Sequence, residues 1–173
     1  MPLTFLVGGA RSGKSALAVD LASSHGGPVT FVATAEARDD DMADRISRHR
    51  RARPQGWTTV EAPLGLVRVL SGVDDAASLV VDCLTLWTSN ALEAGVTEDA
   101  IVEEAVAVAA ALSARRPPSV VVSNEVGSGI VPMNELARRY RDVLGRVNTA
   151  VASAADSAYL VVAGRALRLE RLV

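Results

Sequence analysis

The sequence predicts an α/β fold, with a mostly parallel sheet covered by helices on both faces. Short apolar runs alternate with helix-spaced segments along the whole chain, as strands joined by helical crossovers require. The apolar runs are near-continuous, as in strands buried on both faces. At 173 residues, with no internal repeat, low-complexity tract or linker, the chain fits one domain spanning 1–173.

The elements follow in order. Leu3–Val7 is an apolar run ending in glycines and reads as a buried strand. Lys14–Ser24 places apolar residues at 17, 18, 21 and 22, a helical spacing. Val29–Ala33 is a second strand. Asp39–Arg53 opens with three acids and closes on basic residues before Pro54, matching the polarity a helix dipole favours. Thr58–Val60 reads as a short strand, then a Pro-led helix runs over Leu64–Leu70. Leu79–Asp82 is a strand, and Gly95 separates helices over Leu84–Leu92 and Glu98–Ala114. A strand over Ser119–Ser123 follows a Pro-Pro break. Pro132–Ala155 is a long helical stretch with a bend expected near Gly145, and strands over Ala158–Ala163 and Ala166–Leu169 flank Gly164.

Composition narrows the function classes. The chain is 49% apolar and 22% charged with a formal net charge of −2, so it lacks the basic excess of a nucleic-acid binder. The opening MPLTFLVGG carries no basic leader, and no apolar run approaches the ~18–20 residues of a membrane span, which points to a cytoplasmic protein. Its one cysteine, Cys83, permits no disulfide framework and reads as a small apolar residue. Of the 18 basic residues, Lys14 is the sole lysine. In an arginine-rich chain this marks a position where a compact ammonium, not a planar fork, is required.

GGARSGKS, residues 8–15, has the pattern G-x-x-x-x-G-K-[ST], between an expected strand and an expected helix. Glycines let several backbone N–H groups converge on one phosphate, and the helix N-terminus adds partial positive charge. In this phosphate loop Lys14 would reach the β- and γ-phosphates and the Ser15 hydroxyl would ligate Mg²⁺. An acid at the end of another strand commonly completes such a metal site. Asp82 closes LVVD and fits that role, with an N-cap for the following helix as its other reading.

RISRHRRARP, residues 45–54, holds five arginines and one histidine. On a helix, Met42, Ile46 and His49 share one face, so His49 points the way the core-facing residues do, with Arg48, Arg50 and Arg51 around it. A solvated basic face would more often turn its histidine outward. A nucleic-acid patch would interleave aromatics, and only Trp57 is near. Arginines around an imidazole suit a phosphate site in which the imidazole attacks phosphorus. The residues alone leave these three readings open. The other histidine, His25, sits in a turn and reads as surface.

GGARSGKS, VATAEARDDDMADRISRHRRARPQGWTTVEAP, VVDCLTLWTSN and SNEVGSGIVPMNELARRYRDVLGRVNTAVA, in that order, resemble the adenosylcobinamide kinase / adenosylcobinamide-phosphate guanylyltransferase family of cobalamin biosynthesis. The resemblance covers nearly the whole chain. It implies a RecA-like P-loop fold and a bifunctional enzyme. One reaction would phosphorylate adenosylcobinamide with ATP or GTP, and the other would transfer GMP from GTP to adenosylcobinamide phosphate through a GMP–histidine on His49. Nucleotide contacts are implied at Gly8, Gly9, Ala10, Arg11, Ser12, Gly13, Lys14 and Ser15. Others fall on Ala33, Thr34 and Ala35, on Arg50, Arg51, Ala52 and Arg53, and on Glu61 and Asp82. Ser15 and Asp82 would hold Mg²⁺, and Lys14 would join His49 in catalysis. The resemblance also implies a homo-oligomer, with a trimer as one arrangement.

Asn124 and Glu125 follow a strand at the carboxyl edge, where either a metal or acceptor role or an ordinary turn fits. The ending GRALRLERLV matches the family less well, with Arg165–Ala166 where an apolar-Pro pair is usual, but it touches no proposed catalytic residue. Two other activities fit a P-loop: a monofunctional small-molecule kinase in which the arginines form a phosphate lid, and a nucleotide-dependent regulatory switch.

Overall fold

The computed structural model describes residues 3–171, apart from the side chain of Arg45. Seven strands form one sheet in the order β3-β2-β4-β5-β1-β6-β7. These are β1 (Leu3–Gly8), β2 (Val29–Ala33), β3 (Thr58–Glu61), β4 (Ser78–Asp82), β5 (Ser119–Asn124), β6 (Ser157–Val162) and β7 (Arg165–Leu169). Neighbours pair in parallel except β6 and β7, which form an antiparallel hairpin. The helices are α1 (Lys14–Ser24), α2 (Asp40–Arg51), α3 (Leu66–Leu70), α4 (Leu84–Glu93), α5 (Glu98–Ser113) and α6 (Glu135–Ala154).

Each helix boundary has a local cause. The Asp39 carboxylate accepts from the Met42 N–H at 2.7 Å and caps α2, which is shorter at both ends than expected. Gly65 adopts a left-handed conformation (φ 62°) and starts α3 after Leu64, not at it. The Asn134 side chain accepts from Ala137 N–H at 3.2 Å, so Pro132 and Met133 lie outside α6. α6 then runs to Ala154 as one element, without a break at Gly145.

The sheet has a core on each face. On one, Leu3, Phe5, Val32, Leu79, Val81 and Val121 pack against α3 to α6, with Trp87 of α4 fully buried. On the other, Leu6, Phe31, Val80, Val120 and Val122 pack against Ala18 and Ala22 of α1. The small residues of α1 bring that helix close to the sheet. Burying each large side chain contributes roughly 1.5–3 kcal/mol, so these layers hold the strand ends rigidly in place.

Register decides which residues meet at the carboxyl edge. Ala33 lies opposite Glu61 on one side and Asp82 on the other. Asp82 pairs with Val122, and Gly8 with Asn124. The residues closing β2, β3 and β4 therefore stand in one row, and those closing β1 and β5 lie two residues beyond it at the same edge. Among the described residues no helix is long and apolar enough to cross a membrane.

Candidate nucleotide site at the carboxyl edge of the sheet

The loop between β1 and α1 is shaped by close backbone approach. A Cβ on Gly8 would lie 2.2 Å from the Val161 carbonyl oxygen, and one on Gly13 (φ 102°) would lie 3.3 Å from the Gly164 Cα. Only glycine fits at the first position, and the second adds a left-handed backbone that side chains disfavour. Lys14 is buried, and its Nζ donates to the carbonyls of Gly8 (2.9 Å) and Gly9 (2.6 Å) and to Ser12 Oγ (3.3 Å). The ammonium is thus held inside the loop.

The C-terminal hairpin contacts the phosphate loop at Ser12 and Gly13. The Gly164 N–H donates to the Ser12 carbonyl at 2.8 Å, and β6 lies against Gly8. Arg165 and Ala166 lie in β7, every residue of which is exposed, so packing there does not need the apolar-Pro pair. The turn at Ala163–Gly164 braces the phosphate loop.

Two clefts open along the edge. One, of about 410 Å³, is lined by Ala10, Arg11, Ser12, Gly13, Lys14, Ser15, Arg48, His49, Asp82, Cys83 and Asn124. The other is a narrower apolar slot of about 70 Å³ lined by Phe31, Ala33, Ala35, Met42, Ile46, Arg50, Arg53, Thr59, Glu61 and Leu86. Ser15, His49, Asp82 and Cys83 border both. Gly8 and Gly9 lie behind the loop and line neither.

Asp82 is not an N-cap. Cys83 occupies that position of α4, and no side-chain cap bond forms there. The junction is instead held by fully buried Thr34. Its N–H donates to the Asp82 carbonyl (3.2 Å), and its hydroxyl donates to the Cys83 carbonyl (2.7 Å) and accepts from the Cys83 N–H (2.8 Å). Thr34 therefore fixes the aim of Asp82 and lines neither cleft, whereas Ala33 and Ala35 do. Burial, with the Asp82 charge adding to it, pushes the Cys83 thiol up to about 11.

The face of α2 carrying Met42, Ile46 and His49 is half-buried and faces the slot; the core, where the spacing pointed it, lies elsewhere. The tail of α2 is tied down by its arginines. Arg50 donates to the Glu61 carboxylate at 3.2 Å. Arg53 lies 3.3 Å over the Phe31 ring and donates to Thr59 Oγ1 at 3.2 Å, with its Nε buried and unpartnered. Burial pulls its pKa down against the opposing pull of Asp82, yet the group remains a cation. Arg51 and Ala52 are exposed and line neither cleft.

Sequence reasoning placed Arg48 around His49, where it borders the phosphate cleft, but named no nucleotide contact for it. It missed the apolar slot walls Phe31, Met42, Ile46 and Leu86, which read as ordinary core. His25 is exposed, its ring bonded to the Leu21 carbonyl at 2.8 Å. The Glu125 carboxylate accepts from Gly127 N–H at 2.5 Å and closes a local turn. Among the described residues no cluster of three or more His, Cys, Asp or Glu could hold a metal, so any cation here would rely on few protein ligands.

A family model described as cobinamide kinase / cobinamide phosphate guanyltransferase matches residues 4–169. The chain is 41% identical over 166 residues to the bifunctional adenosylcobalamin biosynthesis protein CobP of Pseudomonas aeruginosa, covering 95% of each. It is 37% identical to the bifunctional adenosylcobalamin biosynthesis protein CobU of Salmonella typhimurium, covering 97% of this chain and 99% of that one. Among solved structures it resembles the ATPase EscN of the enteropathogenic E. coli type III secretion system (TM-score 0.60, 10% identity, 94% of this chain and 43% of that one). It also resembles the flagellar accessory protein FlaH of Methanocaldococcus jannaschii (TM-score 0.54, 14% identity, 98% and 78%). At such identities these last two speak for the fold alone, that of P-loop ATPases.

Proposed function

The chain belongs to the cobinamide kinase / cobinamide phosphate guanyltransferase family, and we propose how its residues divide the family's two reactions. It is an enzyme of adenosylcobalamin biosynthesis with kinase and guanyltransferase activity. The observation that carries the assignment is that His49, Ser15 and Asp82 border both clefts at once. In our reading the triphosphate of ATP or GTP lies along residues 10–15, with Lys14 on its β- and γ-phosphates, and the base end lies toward Ala33, Ala35, Arg50, Arg53 and Glu61.

The donor set suits Mg²⁺: one hydroxyl (Ser15) and one carboxylate (Asp82) on a common cleft, leaving most positions to water and phosphate oxygens. When bound there, the ion would neutralise charge on the phosphates and on the departing group.

For guanylyl transfer, the His49 imidazole forms a bond to the α-phosphorus of GTP while the bond from that phosphorus to the bridging oxygen breaks. Pyrophosphate leaves with the electron pair, and the imidazole keeps a phosphoramidate to GMP. The phosphate of adenosylcobinamide phosphate then forms its bond to the same phosphorus as the P–N bond breaks, restoring His49. Arg48, Arg50 and Arg53 supply fixed positive charge for both steps. For the kinase reaction, Lys14 holds the γ-phosphoryl as it moves to the cobinamide hydroxyl. We place both reactions on one cytoplasmic domain, in a homo-oligomer.

The test is intact mass after incubation with GTP and Mg²⁺. An acid-labile, alkali-stable GMP adduct present in the wild type and absent in His49→Ala supports the assignment. A folded, GTP-binding wild type that forms no adduct sinks the nucleophile and leaves a kinase with an arginine lid.

A further inference from the structure

Asn124 closes β5, which lies between the strand of the phosphate loop and the strand of Asp82. Its position is fixed through its backbone, by two side chains. The Asn124 N–H donates to Thr85 Oγ1 at 2.8 Å, and its carbonyl accepts from Asn148 Nδ2 at 2.9 Å. Asn148 is itself held by the buried Ser123 hydroxyl, which donates to its Oδ1 at 2.6 Å. Asn124 borders the phosphate cleft, and its side chain, by contrast, makes no hydrogen bond among the described residues. Polar side chains so rigidly mounted and left unpartnered next to a phosphate site are placed for a ligand.

Which part of the ligand follows from one carbonyl. Gly8, opposite Asn124 in the β1–β5 register, accepts at its oxygen both the Lys14 ammonium (2.9 Å) and the Glu125 N–H (3.1 Å). Asn124 is therefore adjacent to the ammonium that addresses the β- and γ-phosphates, whereas His49 comes from α2 with the arginines. We propose that the Asn124 carboxamide donates a hydrogen bond to the γ-phosphoryl group during its transfer to the cobinamide hydroxyl, and so serves the kinase reaction in preference to the guanylyl transfer. This rests on the placement of the triphosphate along residues 10–15.

In that step the hydroxyl oxygen bonds to the γ-phosphorus, the bond to the β–γ bridging oxygen breaks, and the nucleoside diphosphate leaves with the electron pair. The hydroxyl proton passes to solvent. A donor aimed at the moving group is worth most when charge spreads over its equatorial oxygens.

The experiment compares wild type, Asn124→Ala and the isosteric Asn124→Asp in two assays. One follows phosphoryl transfer from γ-labelled ATP or GTP to adenosylcobinamide. The other follows formation of the acid-labile GMP adduct from GTP without corrinoid. A fall of about 100-fold in kinase kcat, with nucleotide KM within about threefold and adduct formation far less affected, is the expected result in Asn124→Ala. Asn124→Asp, which loses the donors and adds a repelling charge, should be no better. Unchanged phosphoryl transfer overturns the proposal, and so does an equal fall in both assays at an unchanged thermal midpoint. A wild type with no phosphoryl transfer from either nucleotide overturns the kinase reading beneath it as well.

Discussion

The backbone N–H of Gly164 donates to the Ser12 carbonyl at 2.8 Å, so the last hairpin of the chain supports its first loop. A phosphate loop works only if its N–H groups are already aimed, because reorienting them on binding costs affinity. The fold supplies that aim by pressing β6 and the turn after it against Gly8 and Gly13, from the far end of the sequence.

Gly8→Ala tests this contact. Its Cβ would meet the Val161 carbonyl oxygen at 2.2 Å, and both partners are backbone in adjoining strands. The strands must part, at an expected cost of about 2–3 kcal/mol. Thermal melting should show a midpoint lower by roughly 4–10 °C, with weaker nucleotide binding. An unchanged midpoint would mean that β1 and β6 are less tightly registered than described.

Lys14→Arg should fold and bind nucleotide more weakly. The Nζ sits among two carbonyls and a hydroxyl within 3.3 Å, a space for a compact ammonium and not for a guanidinium fork. Losing charged hydrogen bonds to phosphate should raise the nucleotide Kd about 10- to 100-fold, as titration calorimetry can measure. Arginine binding as well as lysine would remove the significance of the chain's single lysine.

Much of this was legible in the sequence, and the reasons are specific. The strand–loop–helix at residues 3–24 carries its own chemistry, because glycines, Lys14 and Ser15 are needed in that spacing wherever phosphate is held. The helix bearing His49 was legible from its acids, its basic tail and Pro54, and its apolar face was found, but the cleft it faces was not. Periodicity says which residues share a face and nothing about what lies opposite. Phe31 and Leu86 come to the site through sheet order, and the Gly164 turn through the pairing of β1 with β6. Neither leaves a local trace in the residues concerned.

Cys83 lies on both clefts, yet it should resist alkylation. Its thiol, pushed up to about 11, is almost wholly protonated at neutral pH, and only the thiolate attacks. Modification by iodoacetamide, followed by mass, should stay slow at pH 7.5 and rise only well above pH 9. The same shift sets a sign for stability. The unfolded thiol ionises near its ordinary value of 9.0 while the folded one stays protonated, so the folded state binds the extra proton. Stability should therefore be unaffected below pH 9 and fall between about pH 9 and 11. Cys83→Ser should flatten that part of the curve. Rapid labelling at neutral pH would show that the site is wetter than its packing implies.

The Arg50–Glu61 pair separates a structural from a ligand role. Both side chains are more than half exposed, so a bond of 3.2 Å between them should contribute only about 0.2–1 kcal/mol to stability. Glu61 closes β3 on the wall of the slot where we place the base end of the nucleotide. Glu61→Gln should leave the melting midpoint within a few degrees (about 1–4 °C by the same scaling). It should raise the KM for GTP in adduct formation by about tenfold, as loss of one charged hydrogen bond to a base would. Arg50→Gln should match it in stability but lower the rate of adduct formation more than the affinity, because a fixed cation beside His49 acts on charge that develops at phosphorus. Identical kinetic losses in both variants would mean that Glu61 only holds Arg50 in place, and the base would then have to be read elsewhere in the slot.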